Sequence, residues 1–297
     1  MNQFTIMKRR FVIIIVSFTI SLASINAQEE TNPTDRPLTD VFESIWLIDN
    51  QTVVVPFKGT LEFDIHHRFG TWDKGYDDFW GLFAPSNFRL GFNYVPINKL
   101  QLGFGFSKEN LLWDFSAKYA LLEQSRSGAK PLSITYLVNM AIDTRKLEKT
   151  IYNKAGDRYS YFHQLMLARK FNDKLSLQVS ANVTHFNFVD AILDEGNNPI
   201  AKRENDHFSI STLGRFKITE TMAIIANVDI PVTDHNIDSP ETNISFGLEF
   251  GTSGHAFQVF VGNYKSTNPQ YNHFFNLNSF SDNKILIGFN MTRLWSF

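Results

Sequence analysis

The sequence has no cysteine among its 297 residues. Without cysteine, the chain forms no disulfide, carries no lipid on a thiol and attaches no haem through a thioether. It also has no basic excess, with 28 basic and 30 acidic residues, so nothing favours nucleic acid as a partner. The composition excludes disulfide scaffolds and cysteine-anchored lipoproteins.

Long apolar runs are confined to the beginning of the chain. Lys8, Arg9 and Arg10 precede the run FVIIIVSFTISLA, and Ala27 ends a stretch of small residues. This order is typical of a secretory signal peptide; the alternative, a membrane anchor helix, usually has a longer run followed by charge. We expect residues 1–27 to be removed on export, which takes the net charge from −2 to −5.

The apolar content is nevertheless high, with 43% hydrophobic residues and 29 phenylalanines. From residue 59 onward, apolar and polar residues alternate in segments of about ten; in TLEFDIHHRFG, for example, Leu61, Phe63 and Ile65 share one face. Such segments number roughly twelve, each about as long as a membrane-crossing strand. The pattern predicts an all-β, antiparallel, up-and-down transmembrane β-barrel over residues 59–297.

The connections between these segments alternate in length. Short ones lie near 97, 123–130, 171–173, 219–221 and 253–254, and long ones at 71–85, 143–157, 190–205, 232–241 and 265–283; SKEN at 107–110 is a short exception among the long ones. Outer-membrane barrels have short periplasmic turns and longer extracellular loops, so we expect both termini to be periplasmic. A secreted soluble β-sandwich or lipocalin-like barrel is the alternative, because alternation alone does not tell which face meets water.

The last segment, KILIGFNMTRLWSF, is apolar at its odd-numbered positions apart from Arg293. We expect Phe297 and Trp295 to face outer-membrane lipid at the closing seam of the barrel. A terminal strand that ends in phenylalanine resembles the signal read by the bacterial outer-membrane assembly machinery.

Residues 28–58 do not follow the barrel pattern. QEETNPTDRPLTD is polar and contains proline, which is typical of a flexible periplasmic lead. VFESIWLIDNQTVVVPFKG is more apolar, and we expect it to enter the barrel as a plug or to cap its base. The chain is thus divided into residues 1–27, 28–58 and 59–297.

Polar positions of the alternating segments predict the lumen wall. The candidate lumen-lining residues are Glu62, Asp64, His66, Arg68, Arg89, Asp114, Lys118, Arg215, Asp229 and Glu249. One interpretation is a metal site made by Asp64, His66 and another lumen histidine such as His207. The interpretation favoured here is a row of charges that pair across a narrow wet interior, so no cofactor, metal or catalytic residue is assigned.

Aromatic residues also have two interpretations. Trp113, Tyr119, Tyr136, Tyr159, Tyr161 and Trp295 form either a sugar-binding track or, as favoured here, girdles at the two membrane interfaces. A lipid hydrolase would need histidine and serine on neighbouring strands with an orienting partner. GHAFQ at 254–258 supplies the histidine without a following serine and asparagine, so we do not expect an enzyme.

Three glycines are expected to meet on one patch of the wall. If the loop 95–99 is centred on Ile97, Arg89 pairs with Gly105 and Gly91 pairs with Gly103. Glycine in a strand marks either curvature or close approach by another backbone. The second alternative places the apolar part of residues 41–56 against this patch.

Three stretches carry a family resemblance. LIDNQTVVVPFKGTLEFDIHHRFGTW, FWGLFAPSNFRLGFNYVPINKLQLGFGFSKEN and WDFSAKYALLEQ resemble the β-barrel family of Bacteroidetes catalogued as domain of unknown function 5777. The resemblance is strongest from residue 47 to 124 and implies an outer-membrane barrel of a Gram-negative envelope. It implies no activity and no functional residues.

Three functions are compatible with the sequence. The first is a narrow pore or uptake channel for small hydrophilic solutes, which the charged lumen favours. The second is a closed barrel that serves as a scaffold or anchor for an envelope protein. The third, which we expect least, is an outer-membrane lipid hydrolase.

Overall fold

The computed structural model describes residues 35–38, 40–146, 148, 152–196 and 198–297. The predicted signal peptide and the first part of the predicted periplasmic lead lie outside these residues. The described chain forms a closed antiparallel barrel of twelve strands. The predicted fold class is therefore confirmed.

Two short strands precede the barrel: β1 (Trp46–Leu47) and β2 (Asn50–Gln51). The barrel strands are β3 (Thr60–Thr71), β4 (Asn87–Ile97), β5 (Leu100–Ser107), β6 (Leu112–Leu122), β7 (Ser133–Asp143), β8 (Tyr159–Lys170), β9 (Leu175–Phe186), β12 (Asp206–Lys217), β13 (Met222–Pro231), β14 (Asn243–Thr252), β15 (His255–Gly262) and β16 (Leu286–Ser296). A small hairpin of β10 (Ala191–Leu193) and β11 (Pro199–Lys202) and a helix, α1 (Pro269–Phe275), lie in connections.

The barrel closes where the first and last of its strands meet. β16 pairs with β3, so that Trp295 lies opposite Leu61 and Thr292 opposite Asp64. Each of the twelve barrel strands has a hydrogen-bonded neighbour on each side, so the barrel wall has no exposed sheet edge.

Side chains alternate between the two faces of the wall as the sequence predicts. In β3, the even-numbered residues from Thr60 to Arg68 are buried, and the odd-numbered ones are partly exposed. The exposed outer face is apolar and includes Phe92, Leu102, Trp113, Phe115, Tyr119, Leu165, Phe246, Leu248, Phe257 and Val259. Trp113, Tyr119 and Tyr136 face outward near strand ends, as an interface girdle requires and a track inside the lumen does not.

The two ends of the barrel differ. One end, here called the turn end, has the connections 98–99, 123–132, 171–174, 218–221 and 253–254. The other, the loop end, has the connections 72–86, 108–111, 144–158, 187–205, 232–242 and 263–285. This asymmetry agrees with the sequence pattern, including the short exception at 108–111.

The predicted register of β4 and β5 is wrong by two residues. Arg89 lies opposite Ser107 rather than Gly105, and Gly91 lies opposite Gly105 rather than Gly103. The register shifts between Tyr94 and Ile97, where Val95 and Pro96 form a bulge. Proline has no N–H to give to the ladder, so an extra residue is accommodated there and the turn moves to 98–99. A shift of two keeps every side chain on its face, which is why alternation did not reveal it.

The closing strand places both residues of the predicted assembly signal at the turn end. Phe297 is 88% exposed, and its backbone N–H donates to the carbonyl of Gly59. Trp295 is half-buried, with the Arg293 guanidinium 5.0 Å from its ring centroid. Within the described residues, no helix is both long and apolar enough to cross a membrane.

A charge on the outer wall should destabilise the barrel. Phe92 lies in the middle of β4 with its ring on the outer face, whereas Phe83 is 82% exposed in a loop-end connection. We expect Phe92→Arg to lower the free energy of unfolding in lipid vesicles by about 2–4 kcal/mol, because it places a charge in hydrocarbon. Phe83→Arg should change it by less than about 0.5 kcal/mol. Equal effects in urea titrations would contradict a lipid-facing wall.

Candidate functional site

The interior of the barrel is occupied by a segment of the chain itself. Residues 41–53, here called the lumen hairpin, include β1 and β2 and are buried except at Glu43. Trp46 pairs with Gln51 and Leu47 with Asn50, so Ile48 and Asp49 form the tip. Glu43 contacts Arg215 near the turn end, which is the side from which the hairpin enters.

Two glutamines of the wall satisfy the outward-facing backbone of the lumen hairpin. The Gln258 side-chain oxygen accepts from the Ile48 N–H, and its nitrogen donates to the Trp46 carbonyl, each at 2.9 Å. Gln178 accepts from the Val53 N–H and donates to the Gln51 carbonyl, also at 2.9 Å. A primary amide offers one acceptor and two donors, so each glutamine replaces the hydrogen bonds of a neighbouring strand.

Further wall side chains hold the hairpin carbonyls and the side chain of Asn50. Lys118 donates to the Thr52 carbonyl at 3.3 Å, and the Thr135 hydroxyl donates to the Val53 carbonyl at 2.9 Å. Asn50 donates to Asp229 at 2.8 Å. These partners belong to β6, β7 and β13, so the hairpin is held from several sides of the barrel.

The tip of the lumen hairpin has an unfavourable backbone conformation. Ile48 has φ of 57°, which a β-branched residue rarely adopts and which costs about 1–3 kcal/mol. Its N–H donates to Gln258, and its carbonyl accepts from Asn290 at 2.6 Å and from Arg68 at 3.4 Å. The wall thus fixes the tip through both of its backbone groups.

The lumen also contains a buried apolar cluster. The lumen hairpin contributes Val41, Phe42, Leu47, Ile48 and Val53 to a buried cluster, and the wall together with the connection after β15 contributes Leu137, Phe162, Met166, Ala168, Leu213, Ile225, Phe260 and Tyr264. The alternation of the sequence predicted a polar wall and did not indicate these residues. A signal was present in YFHQLMLARK, where Phe162 and Met166 are apolar at positions that alternation assigns to the lumen.

The predicted charges also lie on the inner face of the wall, many of them on β3, β4 and β6. Arg89 lies between Asp64 and Asp114, at 2.7 Å and 2.9 Å, and all three are buried. Arg215 pairs with Glu249 at 2.6 Å. Glu62, Lys118, Arg68, His66 and Asp229 are also buried on the inner face.

The glycine patch accommodates Arg89 rather than the lumen hairpin. A Cβ on Gly105 would lie 2.2 Å from Nη2 of Arg89, and a Cβ on Gly91 would lie 2.4 Å from an Asp64 oxygen. The alternative that places the apolar part of residues 41–56 against these glycines is therefore wrong. The hairpin reaches this region through Trp46, whose ring centroid lies 5.3 Å from the Arg89 guanidinium.

The histidines weighed as metal ligands are not brought together. His66 stacks edge-on against Trp46, while Nδ1 of His207 lies 3.1 Å from Nε2 of His235, close to the loop end. Among the residues that the structure describes, no three His, Asp or Glu side chains are grouped as metal ligands. Burial lowers the pKa of His235, which lies in a loop-end connection, and Arg203 adds to the shift.

The connection 263–285 fills the lumen at the loop end. Within α1, Gln270, Asn272 and His273 are buried. Gln270 donates to Asn139 of β7 at 2.6 Å, and the Asn272 carbonyl accepts from Asn243 of β14 at 3.2 Å. α1 therefore lies within the barrel mouth, against the wall.

Two cavities open beside this connection at the loop end. One, of about 370 Å³, lies between Thr71, Lys74, Lys108 and the connection 72–86. The other, of about 230 Å³, is lined by Tyr271, Asn272, Phe275, Asn276 and neighbouring residues. They share Glu109 and Lys265 and therefore adjoin, and together they are here called the vestibule.

One serine, one histidine and one aspartate meet inside the lumen. Ser209 Oγ lies 2.7 Å from Nδ1 of His273, whose Nε2 lies 4.0 Å from Asp229. All three are buried, and neither vestibule cavity is lined by any of them. Nucleophilic catalysis needs contact with a substrate, and in this conformation the three side chains are enclosed.

Arg89 should be required for stability because it separates two carboxylates. We expect Arg89→Gln to lower the free energy of unfolding by about 3–5 kcal/mol, since Asp64 and Asp114 would be left buried without a cation. The triple variant with Asp64→Asn and Asp114→Asn as well should recover most of this loss. Urea unfolding in lipid vesicles measures both variants; a triple variant as unstable as the single one would contradict the argument.

Several solved barrels are similar to this chain in shape. A NanC porin covers 80% of this chain and 99% of its own at 7% identity, with a TM-score of 0.49. The COG4313 outer membrane channel from Pseudomonas putida F1 covers 82% and 97% at 12% identity, also with a TM-score of 0.49. The KdgM porin covers 80% and 99% at 10% identity, with a TM-score of 0.44. No curated protein matches the sequence.

A family model matches the lumen hairpin and the barrel together. It is described as the membrane-bound beta barrel domain DUF5777, and its match covers residues 42–295. The predicted resemblance is confirmed to that extent, while the Bacteroidetes origin stays a prediction. Since closed, lipid-facing antiparallel barrels of this kind span outer membranes, the chain is an outer-membrane β-barrel and belongs to the DUF5777 family.

Proposed function

We propose that the protein is an outer-membrane channel for small hydrophilic solutes, closed in this conformation by the lumen hairpin. The observation that carries the proposal is that the twelve-stranded ladder is complete without β1 and β2. Side chains of the wall, not strand pairing, hold the hairpin. The hairpin can therefore leave the lumen without breaking the barrel.

The wall behind the hairpin supports this proposal. Several buried polar atoms have no hydrogen-bond partner among the described residues, including both carboxylate oxygens of Glu62, Oε1 of Gln101 and Oγ1 of Thr292. Burying such groups without a partner costs free energy, whereas in a hydrated lumen water satisfies them. Charges of both signs alternate on this wall, so we propose passage of small hydrophilic solutes without a strong preference for charge.

We further propose that the turn end faces the periplasm and the loop end faces outward. The basis is the length of the connections, since short turns are periplasmic in outer-membrane barrels. Both residue 35 and residue 297 would then lie on the periplasmic side. The hairpin would be accessible to envelope proteins from that side.

The second candidate function is a permanently closed barrel that anchors an envelope partner. It is favoured by the apolar cluster, because Leu47, Ile48 and Val53 would lose buried contacts with the wall if the hairpin left. The two candidates differ in whether the hairpin moves under native conditions.

A reversible lock of the lumen hairpin distinguishes the two functions. A Cβ on Gly251 would lie 3.1 Å from Cγ of Glu43, which is near the position of the sulfur of a cysteine at 43. Because the chain has no cysteine, Glu43→Cys with Gly251→Cys introduces a single pair. We expect planar-bilayer recordings to show conductance in the reduced protein, none in the oxidised protein, and larger conductance after deletion of residues 41–53.

The control pair is Asp35→Cys with Ser127→Cys. These side chains are hydrogen-bonded at 2.7 Å on the turn end, and a disulfide there leaves the hairpin free. Oxidation of the control pair should not change conductance. If the folded deletion variant conducts no ions, the channel proposal is wrong and the anchor function is favoured.

A further inference from the structure

The lumen hairpin and α1 enter the barrel from opposite ends and meet inside it. Nδ2 of Asn272 donates to Oδ2 of Asp49 at 2.5 Å. Asp49 belongs to the hairpin tip, and Asn272 belongs to the connection that fills the loop end. Both side chains are buried, so the contact is shielded from solvent.

Asp49 and Asn272 each have further polar contacts besides the one between them. Asp49 lies 3.6 Å from Arg68 of the wall, and Arg68 also donates to the Ile48 carbonyl. Asn272 donates to the Ser266 carbonyl at 2.8 Å and accepts from Asn243 through its own carbonyl. A displacement of α1 would therefore withdraw a donor from Asp49 at the tip.

Asn272 also lines the smaller cavity of the vestibule, beside Tyr271 and Phe275. The same residue thus contacts both the loop-end vestibule and the tip of the lumen hairpin. The strained φ of Ile48 means that the tip depends on its partners to keep its conformation.

We propose that α1 and the lumen hairpin are two halves of one gate, coupled through Asn272 and Asp49. Occupancy or movement at the vestibule displaces Asn272 and thereby favours release of the hairpin at the turn end. This inference rests on the proposed function, because it names how the closed channel is regulated. A coupling of this kind is reciprocal, so holding the hairpin must also stabilise α1.

The effect of Asn272 on the lumen hairpin can be measured by labelling a single cysteine in the hairpin. Ser44 is 2% exposed, and Ser44→Cys supplies the only thiol of the chain. In the folded protein in lipid vesicles, we expect Asn272→Ala to increase the rate of labelling by a water-soluble maleimide roughly tenfold, the effect of losing a hydrogen bond to a charged group.

Gln270→Ala is the matched control, since Gln270 lies on the same helix but donates to the wall at Asn139. It should change the labelling rate less than about twofold. The double variant Asp49→Ala with Asn272→Ala should label no faster than Asp49→Ala alone, because the two residues act through one contact. Equal acceleration by Gln270→Ala and Asn272→Ala, or additive effects in the double variant, would overturn the coupling.

The effect of the lumen hairpin on α1 can be measured with the disulfide between positions 43 and 251. Oxidation should slow hydrogen exchange of the backbone amides of residues 270–275 several-fold relative to the reduced protein, with the strand amides of β5 unchanged. An α1 exchange rate that is the same in both forms would overturn the proposal.

These outcomes are separable from those of the channel proposal. If labelling and exchange respond as expected but the hairpin deletion conducts no ions, the coupling stands and the channel function is wrong. If the deletion conducts but Asn272→Ala leaves labelling unchanged, the channel stands and the coupling is wrong.

Discussion

Every backbone N–H and C=O inside a membrane must find a partner, and this requirement determines how the structure is built. The barrel meets it by closing the ladder between β16 and β3. The lumen hairpin meets it differently, because a pair of two-residue strands leaves backbone groups unpaired on both outer edges. Gln178 and Gln258 supply those partners from the wall. The hairpin is consequently bound as a ligand would be, by side chains, although it is part of the same chain.

The lumen combines two kinds of packing around this hairpin. Apolar residues of the wall contact Leu47, Ile48 and Val53. Arg89 and its two carboxylates fill the space left by Gly91 and Gly105. The apolar contacts stabilise the closed conformation but are not directional. The hydrogen bonds are directional, and they determine which residue of the hairpin lies against which strand of the wall. The lumen hairpin therefore has a defined position that does not depend on pairing with a barrel strand.

The described interior is also divided along the barrel axis. The hairpin fills the part near the turn end, and α1 fills the part near the loop end, with Asp49 and Asn272 at the junction. Neither insertion belongs to the hydrogen-bonded ladder of the barrel, and both are held to the wall by side-chain contacts. The vestibule lies beside α1 at the loop end.

The sequence by itself determined the twelve strands, their inner and outer faces and the two classes of connection, because alternation is a local property of each strand. It identified charges such as Asp64, Arg89 and Asp114 as inner residues for the same reason. It did not determine the β4–β5 register, since a shift of two residues preserves both faces and the bulge at Pro96 depends on its partner strand. Nor did it reveal that Gln178 and Gln258 receive the hairpin or that Asn272 meets Asp49. Those contacts join residues far apart in the chain, and only closure of the barrel brings them together.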